Sequence, residues 1–161
     1  MKNYKIVNDL TGWFIFAIAA FTYCMTIEPT ASFWDCPEFI TTAAKLEVGH
    51  PPGAPFFMLF GNLFAQFASD ASQVAMMINI MNALLSAGCI LFLFWSITHF
   101  AKKLIVRDDA KSVSLSKTIA IMASGVAGAL IYTWSDTFWF SAVEGEVYAF
   151  SSFITALVFW L

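Results

Sequence analysis

The chain has 161 residues, of which 60% are hydrophobic and only 12% charged, with a mean hydropathy of +0.74. That is more apolar surface than a domain of this size can hide from water, which excludes an ordinary soluble fold and makes lipid the natural solvent. A net charge of −3 leaves no basic footprint for nucleic acid, and the three scattered cysteines form neither a CxxC pair nor a disulfide framework.

In chain order, the sequence predicts an all-α, polytopic transmembrane protein with spans at about 10–27, 74–100, 118–134 and 147–161. Each is long enough, or nearly so, to cross about 30 Å of hydrocarbon at roughly 1.5 Å per residue. None contains Asp, Glu, Lys or Arg. Lys2 and Lys5 precede the first stretch as in a signal peptide, but it runs too long and lacks a small-residue cleavage site before Glu28-Pro29, so it reads as a retained helix. The last stretch reaches Leu161 with no polar or basic residue to end it, and the chain is expected to be the amino-terminal part of a longer protein.

A loop over 28–73 separates the first two spans and is expected to hold two amphipathic helices, about 37–47 and 54–68. In the second, Phe56, Phe60, Leu63, Phe64 and Phe67 form one stripe and Gly61, Asn62, Ala65, Gln66 and Ser69 another. With Pro51, Pro52 and Pro55 ahead of it, this suits a segment lying in the interface better than a fifth span. Leaving it uncrossed places Lys2, Lys5, Lys102, Lys103, Arg107, Lys111 and Lys117 on one side and Glu28, Asp35, Glu38, Glu47, Asp70, Asp136, Glu144 and Glu146 on the other. The basic side is then cytoplasmic, together with the amino terminus. Trp13, Trp34, Trp134 and Trp139 fall near expected span ends. Ser124, Gly125, Gly128 and Ala129 on the third span, and Asn79, Asn82 and Ser86 on the second, read as helix-packing devices.

Chemistry concentrates in the first outer loop, which opens Phe33-Trp34-Asp35-Cys36-Pro37-Glu38 and closes Gly49-His50-Pro51-Pro52-Gly53. Asp35 three residues before Glu38, with proline in the first turn, is an acidic version of a capping box. On that helix Asp35, Glu38, Thr42 and Lys45 are expected on one side, and Phe39, Ala43 and Leu46 on the other. Glu144 and Glu146, at the start of the fourth span, suit a helix's positive dipole end. An acid pair and a rigid histidine-proline turn on one loop at a membrane surface also provide the fixed geometry that catalysis needs.

An acidic motif after the first span, followed by His50-Pro51-Pro52 leading into an aromatic-rich loop helix, resembles the GT-C superfamily of polytopic glycosyltransferases, with protein O-mannosyltransferases as the well-known relatives. Asp35, Glu38, Gly49 to Gly53, and Phe138-Trp139 through Glu144, Glu146 and Val147-Tyr148-Ala149 look more closely like a bacterial membrane family related to animal O-mannosyltransferases. One departure is that Cys36-Pro37 separates the two acids, which are adjacent in the better-known enzymes.

The resemblance implies a GT-C-like fold and transfer of a mannose-like sugar from a polyprenyl-phosphate donor to a hydroxyl of a protein or glycan acceptor. The reaction would take place, with inversion, on the outer face of a bacterial inner membrane. It assigns catalysis to Asp35 (general base) and Glu38, donor-phosphate binding to His50 and Lys45, and a second-loop contribution to Glu144 and Glu146. No cofactor is required; an Asp, Glu and His set could bind a divalent cation, although hard cations usually gather more oxygens than this loop offers. A transporter would instead place ionisable groups inside the spans, where only His99 stands, and a non-catalytic membrane scaffold would need nothing beyond capping and turns.

Overall fold

The computed structural model describes residues 2–51, 53–106 and 113–161, and every regular element among them is helical. Pro52 of the histidine-proline turn and the loop cations Arg107 and Lys111 lie outside the described residues. The elements are α1 (Lys2–Met25), α2 (Cys36–Lys45), α3 (Pro55–Ala65), a 3₁₀ turn (Ala71–Gln73), α4 (Val74–Ile105), α5 (Leu115–Thr133), α6 (Asp136–Ala142) and α7 (Val147–Trp160).

Helix α4 organises the molecule, packing against α1, α5 and α7 along its length and against α2, α3 and α6 near its start. Its 32 residues rise about 48 Å, more than the roughly 30 Å of one hydrocarbon thickness. Lipid offers no hydrophobic drive between helices, so close van der Waals contact must hold them together. Small residues supply it: a Cβ on Gly125 of α5 would lie 2.5 Å from Thr98 and 2.8 Å from Phe94 of α4. At the far end, Lys102 lies over the Tyr4 ring at 5.0 Å, pairing the start of α1 with the end of α4.

Three helices, α1, α4 and α5, are long and apolar enough to cross a membrane, which makes this an all-α polytopic membrane protein. The region expected as loop plus fourth span is a broken pair, α6 and α7, bent by 109°. Helix α3 has 11 residues, about 16 Å, well short of a crossing. Its two stripes face apart as the sequence pattern has them, with the phenylalanine stripe outward. Phe57, Met58, Gly61 and Ala65 are buried against α2 and α4, while Phe56, Leu59, Phe60, Leu63 and Phe67 are exposed. Trp13 is not at a helix end: it sits midway along α1, edge-on to Trp95 of α4.

The asparagines of α4 act on loops rather than on neighbouring helices. Asn79 Nδ2 donates to the carbonyls of Glu28 (2.7 Å) and Thr30 (3.0 Å), and Asn82 Nδ2 donates to those of Glu144 and Glu146 (2.7 Å). One helical turn thus carries both connections, which also join each other through Glu28 N–H to Val143 O at 3.1 Å. Gly145 completes the wedge, because a Cβ there would fall 2.8 Å from Ile40 of α2 and 2.9 Å from Asn79 Oδ1. Backbone carbonyls taken out of water need such donors.

Candidate functional site

The approach to α2 is strained. Trp34, 91% exposed, has φ of 60°, a left-handed conformation that costs a bulky residue free energy. The next residue, Asp35, is in right-handed helical geometry (φ −88°, ψ −7°) and its side chain makes no cap hydrogen bond. The capping box expected from the sequence is therefore absent. An N-cap carboxylate reaches the N2 or N3 amide only from extended backbone. Pro37, in the first turn, has no N–H to offer in any case. Asp35 is left exposed at the mouth of the loop.

Glu38, the other half of the expected box, turns to His50 instead. Its Oε1 accepts the His50 backbone N–H at 2.6 Å, and its Oε2 lies 3.1 Å from His50 Nδ1. These bonds, the backbone one foremost, hold the Glu38 carboxyl below its ordinary value of 4.5. The imidazole leans on the Phe39 ring, 5.6 Å between centroids, and the His50 carbonyl accepts from Gly53 N at 2.9 Å to close the turn. The acidic and histidine motifs are thus one unit, half-open to solvent at 40% and 45% side-chain exposure.

Lys45, seven residues along α2 from Glu38, stands roughly 10 Å further down the axis. It is exposed and, among the described residues, forms no ion pair. The helix ends there in a Schellman motif: Leu46 is left-handed (φ 54°), its N–H bonds to Ala43 O, and Glu47 N–H bonds to Thr42 O at 2.8 Å. Reversal at Leu46 takes that side chain off the apolar stripe, and Thr42 is buried in its place. Asn62 of α3 donates to the last carbonyls, Ala43 O (3.1 Å) and Ala44 O (2.9 Å), fixing α2 on α3.

On the other side of Asp35 lies a buried group that the sequence did not announce. Cys36 is fully buried, and its thiol donates to Glu146 Oε1 at 3.4 Å. Glu144 and Glu146 are only 7% and 6% exposed. Burial, then the Glu144 and Glu146 charges, pushes the thiol well above its usual range, so it serves as a donor rather than a nucleophile. Burial first, with the Glu144 and Asp35 charges behind it, raises the Glu146 carboxyl, against the opposing hydrogen bond from Cys36. Glu146 occupies the N-cap position of α7 without a side-chain cap bond, so its carboxylate belongs to this cluster and not to the helix end.

The structure therefore sets the buried Glu144 and Glu146 beside Cys36 with Asp35 exposed at the mouth, places the Glu38–His50 pair one turn along the same helix, and leaves Lys45 apart. No three His, Cys, Asp or Glu side chains among the described residues converge as a metal-holding group.

The profile of the family described as protein O-mannosyl-transferase TMEM260 N-terminal domain matches residues 35–161. The chain belongs to that family. The match begins at Asp35, so every residue of the candidate site falls within the TMEM260 N-terminal domain. The protein O-mannosyl-transferase tmem260 of Dictyostelium discoideum is 24% identical over 153 residues, covering 91% of this chain and 16% of the relative. Protein O-mannosyl-transferase TMEM260 of Mus musculus is 24% identical over 144 residues, covering 89% of this chain and 18% of the relative. The chain thus spans less than a fifth of the length of these relatives. No solved structure matches it.

Proposed function

We propose that this chain supplies the acid-bearing half of the active site in a membrane glycosyltransferase of GT-C type. On this reading a mannose-like sugar passes from a polyprenyl-phosphate donor to a hydroxyl of a protein or glycan acceptor. Membership of the O-mannosyl-transferase family supports the reaction class. The observation that carries the local assignment is the joining of the two loop motifs by Glu38 and His50 beside Asp35, whose carboxylate is exposed and spent on no cap.

Asp35 takes the acceptor hydroxyl proton as the oxygen attacks the anomeric carbon. The bond from that carbon to the phosphate oxygen breaks, and the polyprenyl phosphate leaves with the electron pair. One in-line displacement inverts the centre. General-base catalysis of this kind contributes roughly 10²–10⁴-fold. Glu38 holds His50 at the mouth, where the imidazole can donate toward the phosphate, with Lys45 as a more distant cation. Glu144 and Glu146 close the buried side. The separation of charge along the sequence supports an amino terminus in the cytoplasm and a site on the outer face of a bacterial inner membrane.

The test is sugar transfer from a lipid-linked donor by the complete protein carrying Asp35→Asn. The expected result is a loss of at least a hundredfold in rate at normal expression; undiminished transfer removes Asp35 from the mechanism.

A further inference from the structure

Asp35 has little local support. Its carboxylate makes no cap bond, Pro37 removes an N–H from the first turn of α2, and Glu38 is turned away to His50. A general base needs a fixed place, since a displacement of about 1 Å can cost roughly a hundredfold in rate. The approach adds to the difficulty. Trp34 stands in solvent at φ 60°, and a bulky residue keeps a left-handed backbone only where its flanks over-determine it.

Both flanks are tied to α4. Upstream, Asn79 donates to the carbonyls of Glu28 and Thr30. Downstream, the tie runs through one side chain. Cys36, the residue after Asp35 and the first of α2, is fully buried, and its thiol donates to Glu146 Oε1 at 3.4 Å. Glu146 is held in turn by Asn82, which donates to its carbonyl at 2.7 Å, and by its own N–H to Glu144 O at 2.9 Å. No lysine, arginine or histidine among the described residues pairs with the Glu146 carboxyl, which turns to the thiol instead. A thiol is a weak donor in water, but dry surroundings strengthen the bond.

We propose that Cys36 is the positioning residue for the base: its thiol, through Glu146 and Asn82, references Asp35 to the central helix and holds the Trp34 bend in place. The inference rests on the transferase reading above. Cys36 touches no substrate in this role. Burial, with the Glu144 and Glu146 charges behind it, keeps the thiol protonated, so it neither attacks nor titrates near neutrality. What position 36 requires is therefore a hydrogen-bond donor, not sulfur chemistry and not bulk. Serine keeps a donor in less volume, valine fills the volume without a donor, and alanine does neither.

The experiment measures transfer by the complete protein from polyprenyl-phosphate mannose to a peptide containing serine and threonine, in variants matched for expression and Tm. Cys36→Ser is expected to keep kcat within threefold of the parent. Cys36→Val and Cys36→Ala are expected to lower kcat about tenfold with both KM values unchanged, because the base is displaced while donor and acceptor still bind. Adding Cys36→Ala to Glu146→Ala is expected to lower kcat no further than Glu146→Ala alone, since the two remove one tie. Alkylation of Cys36 by a maleimide reads the tie without any transfer assay, and is expected to accelerate about tenfold in Glu146→Ala but not at Cys24 or Cys89. An unchanged Cys36 rate there overturns the tie, whether or not Cys36→Val folds. Full activity of Cys36→Val, equal losses in Cys36→Ser and Cys36→Ala, or a double variant whose loss is the product of the singles overturns the positioning role and leaves the transferase reading standing. A raised KM with kcat intact overturns it as well, showing a role in binding. Absence of transfer by the parent protein overturns the transferase reading and the inference with it.

Discussion

Replacing Asn82 with alanine removes the two side-chain hydrogen bonds that tie the Glu144–Glu146 turn to α4. Each lost bond costs about 0.5–1.5 kcal/mol, while side-chain hydrogen bonds within membrane proteins average nearer 0.6 kcal/mol. A local cost of about 2 kcal/mol follows. That turn is the lid over Cys36, which is fully buried, so the cost should appear as exposure of this thiol. At 1.36 kcal/mol per decade, alkylation of Cys36 by a maleimide should accelerate about 30-fold when opening precedes reaction. Peptide mapping separates Cys36 from Cys24 and Cys89, which lie in α1 and α4 and serve as internal controls. A Cys36 rate within threefold of the parent would refute the clamp, as would equal acceleration at all three cysteines.

Gly145→Ala should produce the same selective unmasking of Cys36, since its Cβ meets Ile40 and Asn79 Oδ1; unchanged labelling would show that the wedge has slack. The two sides of the site should respond to pH with opposite sign. Glu38 has a lowered pKa, so its contribution is present above its ordinary value of 4.5 and is lost as pH falls below it. Glu146 has a raised pKa, so its contribution is present below 4.5 and is lost as pH rises above it. Melting profiles of Glu38→Gln and Glu146→Gln against pH should therefore each flatten one limb, the acid limb for Glu38 and the rising limb for Glu146. Leu46→Gly relieves a left-handed leucine that is largely exposed, and should stabilise the protein by up to about 1 kcal/mol, read as a higher Tm.

The long helices were legible because charge-free apolar runs leave a chain little choice in lipid, and α2 was legible from Pro37 and its apolar spacing. The start of α7 at Val147 falls where the fourth span was expected, but helix α6 did not stand out, because Asp136 to Ala142 lies in a short acidic stretch that reads as loop. Asn79 and Asn82 were visible as a polar stripe, but their partners are backbone carbonyls 49 to 64 residues away, which carry no sequence signature. Asp35 and Glu38 were marked by the resemblance and by their spacing, and spacing suggested a local cap. Helical geometry at Asp35 and the reach of Glu38 to His50 are tertiary outcomes that override it. Cys36 could have been found from its place between the two acids, since a buried thiol flanked by carboxylates is a natural donor to a third.

The two asparagines that carry the loops stand a single turn apart on α4, and this has a mechanical consequence. A thinner bilayer makes a long helix lean, by the usual accommodation of hydrophobic mismatch. Because both loops hang from the same turn of the same shaft, they would lean as a rigid cantilever: the depth of the acids relative to the lipid surface would change, while their spacing from one another would not.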